Sequence, residues 1–150
     1  MNNAPLCLRM IRHFEAPRER VFRAFADPQQ LVKWWGPEGM HVVDHDIDVR
    51  VGGAWRTTIR NQAGDDHTMS GVYREISAPH RLAFTWAWER EGERGHETIV
   101  TIDLAEDGDG TELNFVQEIF ESEEMRDSHQ GGWQSSFDCL VAAIAKGEIR

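Results

Sequence analysis

The hydrophobic and polar positions of the chain change their period near residue 120. From Met40 to Gln117, apolar residues recur mainly at every second position, which is the period of strands that bury one face. From Gly132 to Lys146 they recur at helical spacing, and the apolar face predicted for this last helix consists of Trp133, Phe137, Leu140, Val141 and Ile144. A single long amphipathic helix that follows a run of strands is expected to bury this face against a sheet.

The alternating stretches predict about seven strands joined by short loops, which is typical of an antiparallel meander. The predicted strands cover residues 6–14, 40–51, 54–60, 68–76, 81–88, 98–104 and 113–117. Between the first two strands, Pro17 and Pro28 stand where two short helices begin. Ser122 is typical of a helix N-cap, and Gly131-Gly132 is expected to interrupt the helix that follows it. The pattern therefore predicts an α+β fold in which a curved sheet surrounds the C-terminal helix.

Three groups of residues carry a resemblance to a known family. The first runs from Ala16-Pro17 through Val21-Phe22 to the WWGP segment at 34–37, and the second is DVRVGG at 48–53 followed by Trp55. The third consists of Gly71, Arg81-Leu82, Thr85-Trp86 and Gly132-Trp133. Over about residues 8–146 the chain resembles bacterial homologues of the activator of heat-shock protein 90 ATPase, of the C-terminal domain type. That family belongs to the START-like (SRPBCC) superfamily.

The resemblance implies one domain over residues 1–150 with a helix-grip fold. In this fold a seven-stranded antiparallel sheet grips a long C-terminal helix, and two small helices lie between the first two strands. The resemblance also implies a hydrophobic cavity, since members of the superfamily bind lipids, sterols, hormones or polyketides. The additional N-terminal domain of the eukaryotic co-chaperone has no counterpart within these 150 residues.

From this resemblance we favour a non-enzymatic or weakly catalytic protein that binds a small hydrophobic ligand. A chaperone-assisting, protein-binding module is the first alternative. The second is a cyclase- or hydrolase-type enzyme that uses the same pocket, and no residue pattern in the chain favours it.

The candidate ligand site is a pocket between the last helix and the sheet. Large flat apolar side chains suit such a pocket, and the predicted lining is Trp35, Trp86, Phe115, Trp133 and Phe137. The alternation of strand residues places His45 on the same face as Val43 and Ile47. His45 and Tyr73 are the residues predicted to offer a polar group to a ligand in the pocket. Two alternatives stay open, because the aromatic residues could be plain core and His45 could lie near a solvated strand end.

Composition narrows the classes of partner. The net charge is −10, and the chain has only two lysines, Lys33 and Lys146, so nucleic acid and anionic membranes are not expected partners. Cys7 and Cys139 have no metal-type spacing, and the DGDG turn at 107–110 lacks the later ligands of a calcium loop. We therefore expect no metal, no cofactor and no catalytic residue.

Two further expectations concern location and assembly. The N-terminal residues lack the apolar core of a signal peptide, and no apolar run reaches 18 residues, so a cytoplasmic protein is expected. The outward side of the last helix carries small residues that would permit a homodimer contact, namely Ser135, Cys139, Ala142 and Lys146.

Overall fold

The structure is a computed structural model that describes residues 6–149. The strands are β1 (Leu6–Phe14), β2 (His41–Ile47), β3 (Ala54–Arg60), β4 (Asp66–Ser77), β5 (Arg81–Arg90), β6 (Glu93–Arg94), β7 (Thr98–Asp107) and β8 (Gly110–Phe120). The helices are α1 (Arg18–Ala26), α2 (Pro28–Leu31) and α3 (Glu123–Ala145). No helix among these described residues is long and apolar enough to span a membrane.

The strands form one antiparallel sheet in the order β1-β8-β7-β5-β4-β3-β2, and the short β6 pairs with β5 outside this path. Two small helices lie between β1 and β2, and α3 follows the last strand. The predicted α+β helix-grip fold is therefore confirmed. The two-residue β6, at the tip of the hairpin after β5, is the one strand that the hydrophobic pattern does not show.

The prediction that Gly131-Gly132 interrupts the last helix is wrong, because α3 is continuous from Glu123 to Ala145. The Ser122 hydroxyl accepts a hydrogen bond from the Met125 backbone N–H at 3.1 Å and caps the helix start. Each glycine costs about 1 kcal/mol of helix propensity relative to alanine. Packing of His129 before the glycines and Trp133 after them, both buried against the sheet, holds the helix together across this point.

The buried face of α3 also differs from the predicted one. It consists of His129, Trp133, Ser136, Phe137, Leu140 and Ala143. Val141, predicted to be on this face, is 41% exposed, and Ile144 is only half-buried. The true face begins one turn earlier and is rotated towards Ser136 and Ala143, because the sheet covers the helix from that side.

The strand β2 is shorter and less regular than the alternation predicts. Its pairing with β3 shifts between Val42 and Asp44, which marks a bulge, and the strand ends at Ile47 instead of Val51. Residues 48–53 form a turn in which the Gly53 N–H donates to the Arg50 carbonyl at 2.8 Å. Since β2 is the last strand in the order, only one of its edges is paired.

Candidate functional site

A cleft of about 280 Å³ lies between the first half of α3 and the sheet. We call it the α3 cleft. Four of its lining residues are tryptophans, and the full lining is Trp35, Gly36, Pro37, Ile59, Met69, Trp86, Trp88, Ser128, His129, Gly132, Trp133 and Ser136. An aromatic and aliphatic lining with a few hydroxyl groups is typical of sites for small apolar molecules.

Trp35 enters the cleft from the turn after α2. Its indole Nε1–H donates to the Thr57 hydroxyl at 3.0 Å, and Thr57 is fully buried on β3. Gly36 follows with φ of +104°, a backbone conformation that side chains other than glycine rarely adopt. This turn carries the chain away over Ile59, and the Trp35 ring is left 5.4 Å from the Trp133 ring with an angle of 78° between them.

Trp133 is fixed to the sheet through a buried polar chain. Its Nε1–H donates to Gln117 Oε1 at 2.8 Å, and Gln117 Nε2 donates to the Thr98 hydroxyl at 2.8 Å. The Thr98 hydroxyl donates in turn to the Trp86 carbonyl at 3.1 Å. Gln117 and Thr98 are 0% and 3% exposed, so an unpaired group here would be costly. This series of hydrogen bonds therefore sets the orientation of Trp133 and links it to β5, the strand that carries Trp86.

Trp86, Trp88 and His129 form one wall of the α3 cleft. The Trp86 ring lies 4.6 Å from both the Trp88 and the His129 rings, nearly perpendicular to each. The Trp88 Nε1–H donates to His129 Nε2 at 3.2 Å. Burial lowers the pKa of His129 to about 4, so that at neutral pH the ring is uncharged and carries its proton on Nδ1.

The same wall separates the α3 cleft from a second, more polar cleft of about 420 Å³, which we call the outer cleft. Its lining consists of Trp86, Trp88, Arg90, Glu93, Arg94, Gly95, His96, Thr98, Phe120, Glu121, Met125 and His129. Phe120 closes its floor with a ring centroid 5.1 Å from that of His129. Trp86, Trp88 and His129 therefore contact both spaces.

The structure brings three of the seven predicted site residues together in the α3 cleft, namely Trp35, Trp86 and Trp133. Phe115 and Phe137 are fully buried, 5.5 Å apart, and belong to the filled core. Tyr73 is also buried, beside a void of only about 10 Å³, and burial raises its pKa to about 12. That any of these seven residues binds a ligand stays a prediction.

His45 lies on the predicted side of β2 but is exposed. It pairs with Thr57, which is buried, so both side chains leave the sheet on the same side. Because β2 is an edge strand, nothing covers His45, and it does not line the α3 cleft. The bulge at Val43 also places His41, which pairs with Arg60, on the opposite face of the sheet from His45.

Sequence reasoning missed His129, Gln117 and Trp88 as parts of the site. A signal for His129 exists, since it stands one helical turn before Trp133 and two before Phe137. Gln117 alternates with the buried Leu113 and Phe115, and a polar residue at such a position indicates a buried hydrogen bond. Both residues can be assigned to the site only when α3 is known to continue through Gly131-Gly132, because this continuity places His129 and Trp133 on the same helix.

Two features of the described residues bear on metals and assembly. Among residues 6–149, no group of three His, Cys, Asp or Glu side chains could hold a metal ion.

On the outward side of α3, the Ser135 hydroxyl accepts from the Glu38 backbone N–H at 2.8 Å. The loop before β2 therefore reaches part of the surface that was predicted to permit a homodimer contact.

The comparisons with known proteins agree with the fold. Residues 15–145 match the family described as Activator of Hsp90 ATPase homolog 1-like protein. The AHSA1 protein from Silicibacter pomeroyi is 30% identical with a TM-score of 0.86, and the match covers 95% of this chain and 99% of that one. A protein from Chromobacterium violaceum is 36% identical with a TM-score of 0.79, over 91% and 94% of the two chains. No curated protein shows significant similarity.

Proposed function

The chain belongs to the Activator of Hsp90 ATPase homolog 1-like family, and on that premise we propose that it binds a small hydrophobic molecule in the α3 cleft. The observation that carries this proposal is a contrast in packing under one helix. Phe137 and Leu140 are fully buried, whereas Trp133 and His129, one and two turns earlier, border a space of about 280 Å³.

The cleft is held open by its own hydrogen bonds. The indole N–H groups of Trp35, Trp88 and Trp133 donate to Thr57, His129 and Gln117 respectively. Rotating these rings into the cleft would break bonds of buried groups, which costs about 1–3 kcal/mol for each group left unpaired. A preformed apolar space of this kind lets a ligand bury its surface without first ordering the site.

The test uses two adjacent glycines of α3. Apart from its chain neighbours and the backbone of its own helix, a Cβ at Gly131 or at Gly132 meets no atom within 4 Å, so both positions accept a side chain. Gly132 lines the α3 cleft and Gly131 is exposed away from it. We expect Gly132→Leu to fill the cleft and to lower the uptake of the neutral fluorophore N-phenyl-1-naphthylamine at least tenfold. Gly131→Leu should leave it unchanged.

The two variants control for each other, because both replace a helical glycine with a better helix former and should raise the free energy of unfolding by up to about 1 kcal/mol. Fluorescence titration gives the affinity, and urea denaturation shows that both variants are folded. Equal uptake by the Gly132→Leu variant and the wild-type protein would contradict binding in this cleft, as would the absence of uptake by the wild-type protein.

The family description favours a second candidate, a module that stimulates the ATPase of heat-shock protein 90. This activity would depend on the outer surface of the protein and not on the α3 cleft. Gly132→Leu separates the two candidates. If the family description applies here, stimulation of the chaperone ATPase persists in this variant while uptake of the fluorophore is lost.

A further inference from the structure

We propose that the α3 cleft selects a cationic ligand whose quaternary or tertiary ammonium group lies against the indole faces. This inference rests on the proposed function, because it names the chemical class of the molecule that the cleft would hold.

The cleft contains no formal charge that would favour an anion. Its lining, within the described part of the chain, includes no lysine, arginine, aspartate or glutamate. His129 is the one titratable group in the wall, and burial lowers its pKa to about 4, which leaves it neutral at physiological pH. An anionic ligand would therefore lose its hydration without meeting a positive charge in the cleft, which is unfavourable in an apolar site.

The four tryptophans of the cleft can make cation–π contacts. Tryptophan has the most favourable ring face for a cation, and each such contact contributes about 0.5–2 kcal/mol, more when it is desolvated. The four rings occur as two nearly perpendicular pairs: Trp86 with Trp88 at 86°, and Trp35 with Trp133 at 78°. The cleft is therefore bordered by indole rings in more than one orientation, which suits a rounded methylated ammonium group better than a flat hydrocarbon.

The charge around the cleft has the matching sign. The chain carries a net charge of −10. The segment of 121–129, which leads into the cleft wall, holds four acidic residues and one arginine. In the outer cleft, Arg94 pairs with Glu97 at 2.8 Å, and Arg90 shares the lining with Glu93 and Glu121. A protein with a net negative charge raises the local concentration of cations at its surface.

The experiment compares two isosteres that differ only in charge, choline and 3,3-dimethyl-1-butanol. Titration followed by the chemical shifts of the indole Nε1–H signals gives both affinities at pH 7.5. We expect choline to bind about tenfold more tightly, which is a free-energy difference of about 1.4 kcal/mol. The carboxylate 4,4-dimethylpentanoate should not bind.

Trp86 is the residue to substitute. Among the described residues, the Trp86 Nε1–H has no acceptor, so its replacement leaves no former partner unpaired. Trp86→Leu should reduce the ratio of choline to alcohol affinity at least threefold while the alcohol still binds. Trp34→Phe is the control, because Trp34 is equally buried but lies outside the cleft. The milder Trp86→Phe supplies the test if the leucine variant does not fold.

The outcomes separate this inference from the proposed function. Equal or tighter binding of the alcohol overturns the cationic class but leaves apolar binding intact. An unchanged ratio in the folded Trp86 variant also overturns it. If neither the isosteres nor N-phenyl-1-naphthylamine binds the wild-type protein, both the proposed function and its ligand class are overturned.

Discussion

The two halves of α3 meet the same sheet in different ways. Around Phe137 the helix is packed without a gap: this side chain is fully buried and its ring lies 5.5–6.4 Å from those of Phe14, Phe25 and Phe115. We call this region the closed end. Around His129 and Trp133 the helix is separated from the sheet by the α3 cleft, and we call this region the open end.

The closed end is bordered mainly by phenylalanines, with Trp34 beside them, whereas four tryptophans border the open end. A phenylalanine has no polar atom, so it can turn to fill whatever space its neighbours leave. A tryptophan also carries an N–H group that favours a hydrogen bond, and the N–H groups of Trp35, Trp88 and Trp133 each donate to one partner. Those hydrogen bonds fix the orientation of each indole ring, whether or not the ring then fills the space beside it. A wall of hydrogen-bonded indoles can therefore enclose a space that a wall of phenylalanines would close.

The largest expected effect is at the closed end. Phe137→Ala removes a fully buried ring from a filled core, and we expect the free energy of unfolding to fall by about 3–5 kcal/mol. Trp88→Ala at the open end should cost less, about 1–2 kcal/mol, because Trp88 is only half-buried and borders two clefts. Urea denaturation of both variants measures the contrast. Equal losses would show that the open end is as densely packed as the closed end.

A smaller effect concerns pH and is confined to the open end. The pKa of His129 is near 6.5 in the unfolded chain and about 4 in the folded protein, since burial disfavours the charged ring. Between these values the unfolded chain binds more protons, so the contribution of His129 to stability is lost as pH falls from 6.5 towards 4. The loss is about 2–3 kcal/mol by pH 4.5, because one pKa unit corresponds to about 1.4 kcal/mol.

The variant His129→Gln keeps an acceptor for the Trp88 N–H and removes this titration. The stability difference between wild type and variant should therefore shrink as the solution is acidified. Gln130→Ala, at an exposed position of α3, is the control and should shift the curve equally at each pH, because it neither adds nor removes a titratable group. Parallel curves for the wild-type protein and His129→Gln would contradict the assigned burial of a neutral ring.

The smallest expected effect is a gain in stability. Ile119 has φ of +69°, a conformation that costs a β-branched residue about 1–2 kcal/mol. It is the extra residue of a bulge, since Phe120 pairs with Leu6 and Glu118 with Cys7. The bulge turns Phe120 inward against His129 at the open end. Glycine adopts this φ without strain, so Ile119→Gly should raise the free energy of unfolding by about 0.5–1 kcal/mol after its own entropy cost.

The matched control for this gain is Ile11→Gly. Ile11 is 67% exposed in the middle of β1, where a glycine relieves no strain and weakens the strand. This control should lower stability under the same urea titration. A loss of stability in Ile119→Gly as well would show that the bulge does not hold Ile119 under strain.

Much of the fold could be predicted from local pattern alone. The alternation from Met40 to Gln117 and the helical spacing after Gly132 gave the right elements in the right order, because each period reports one face that avoids water. The errors fall where local rules conflict with tertiary packing. Gly131-Gly132 weakens a helix in isolation, yet His129 and Trp133 are packed on both sides of it, and this packing outweighs the propensity.

For the candidate site as well, the sequence determined some features and the tertiary structure determined others. The sequence by itself determined that Trp35, Trp86, Trp133, Phe115 and Phe137 face inward, since periodicity distinguishes buried from exposed faces. Only the tertiary structure decided which of them border a cleft and which fill the core, because that depends on distances between elements far apart in the chain. His45 is exposed because β2 lies at the edge of the sheet. His129 contacts Trp88 because α3 runs without a break through Gly131-Gly132. Local pattern encodes burial, whereas the shape of an interior space is a property of the whole packing.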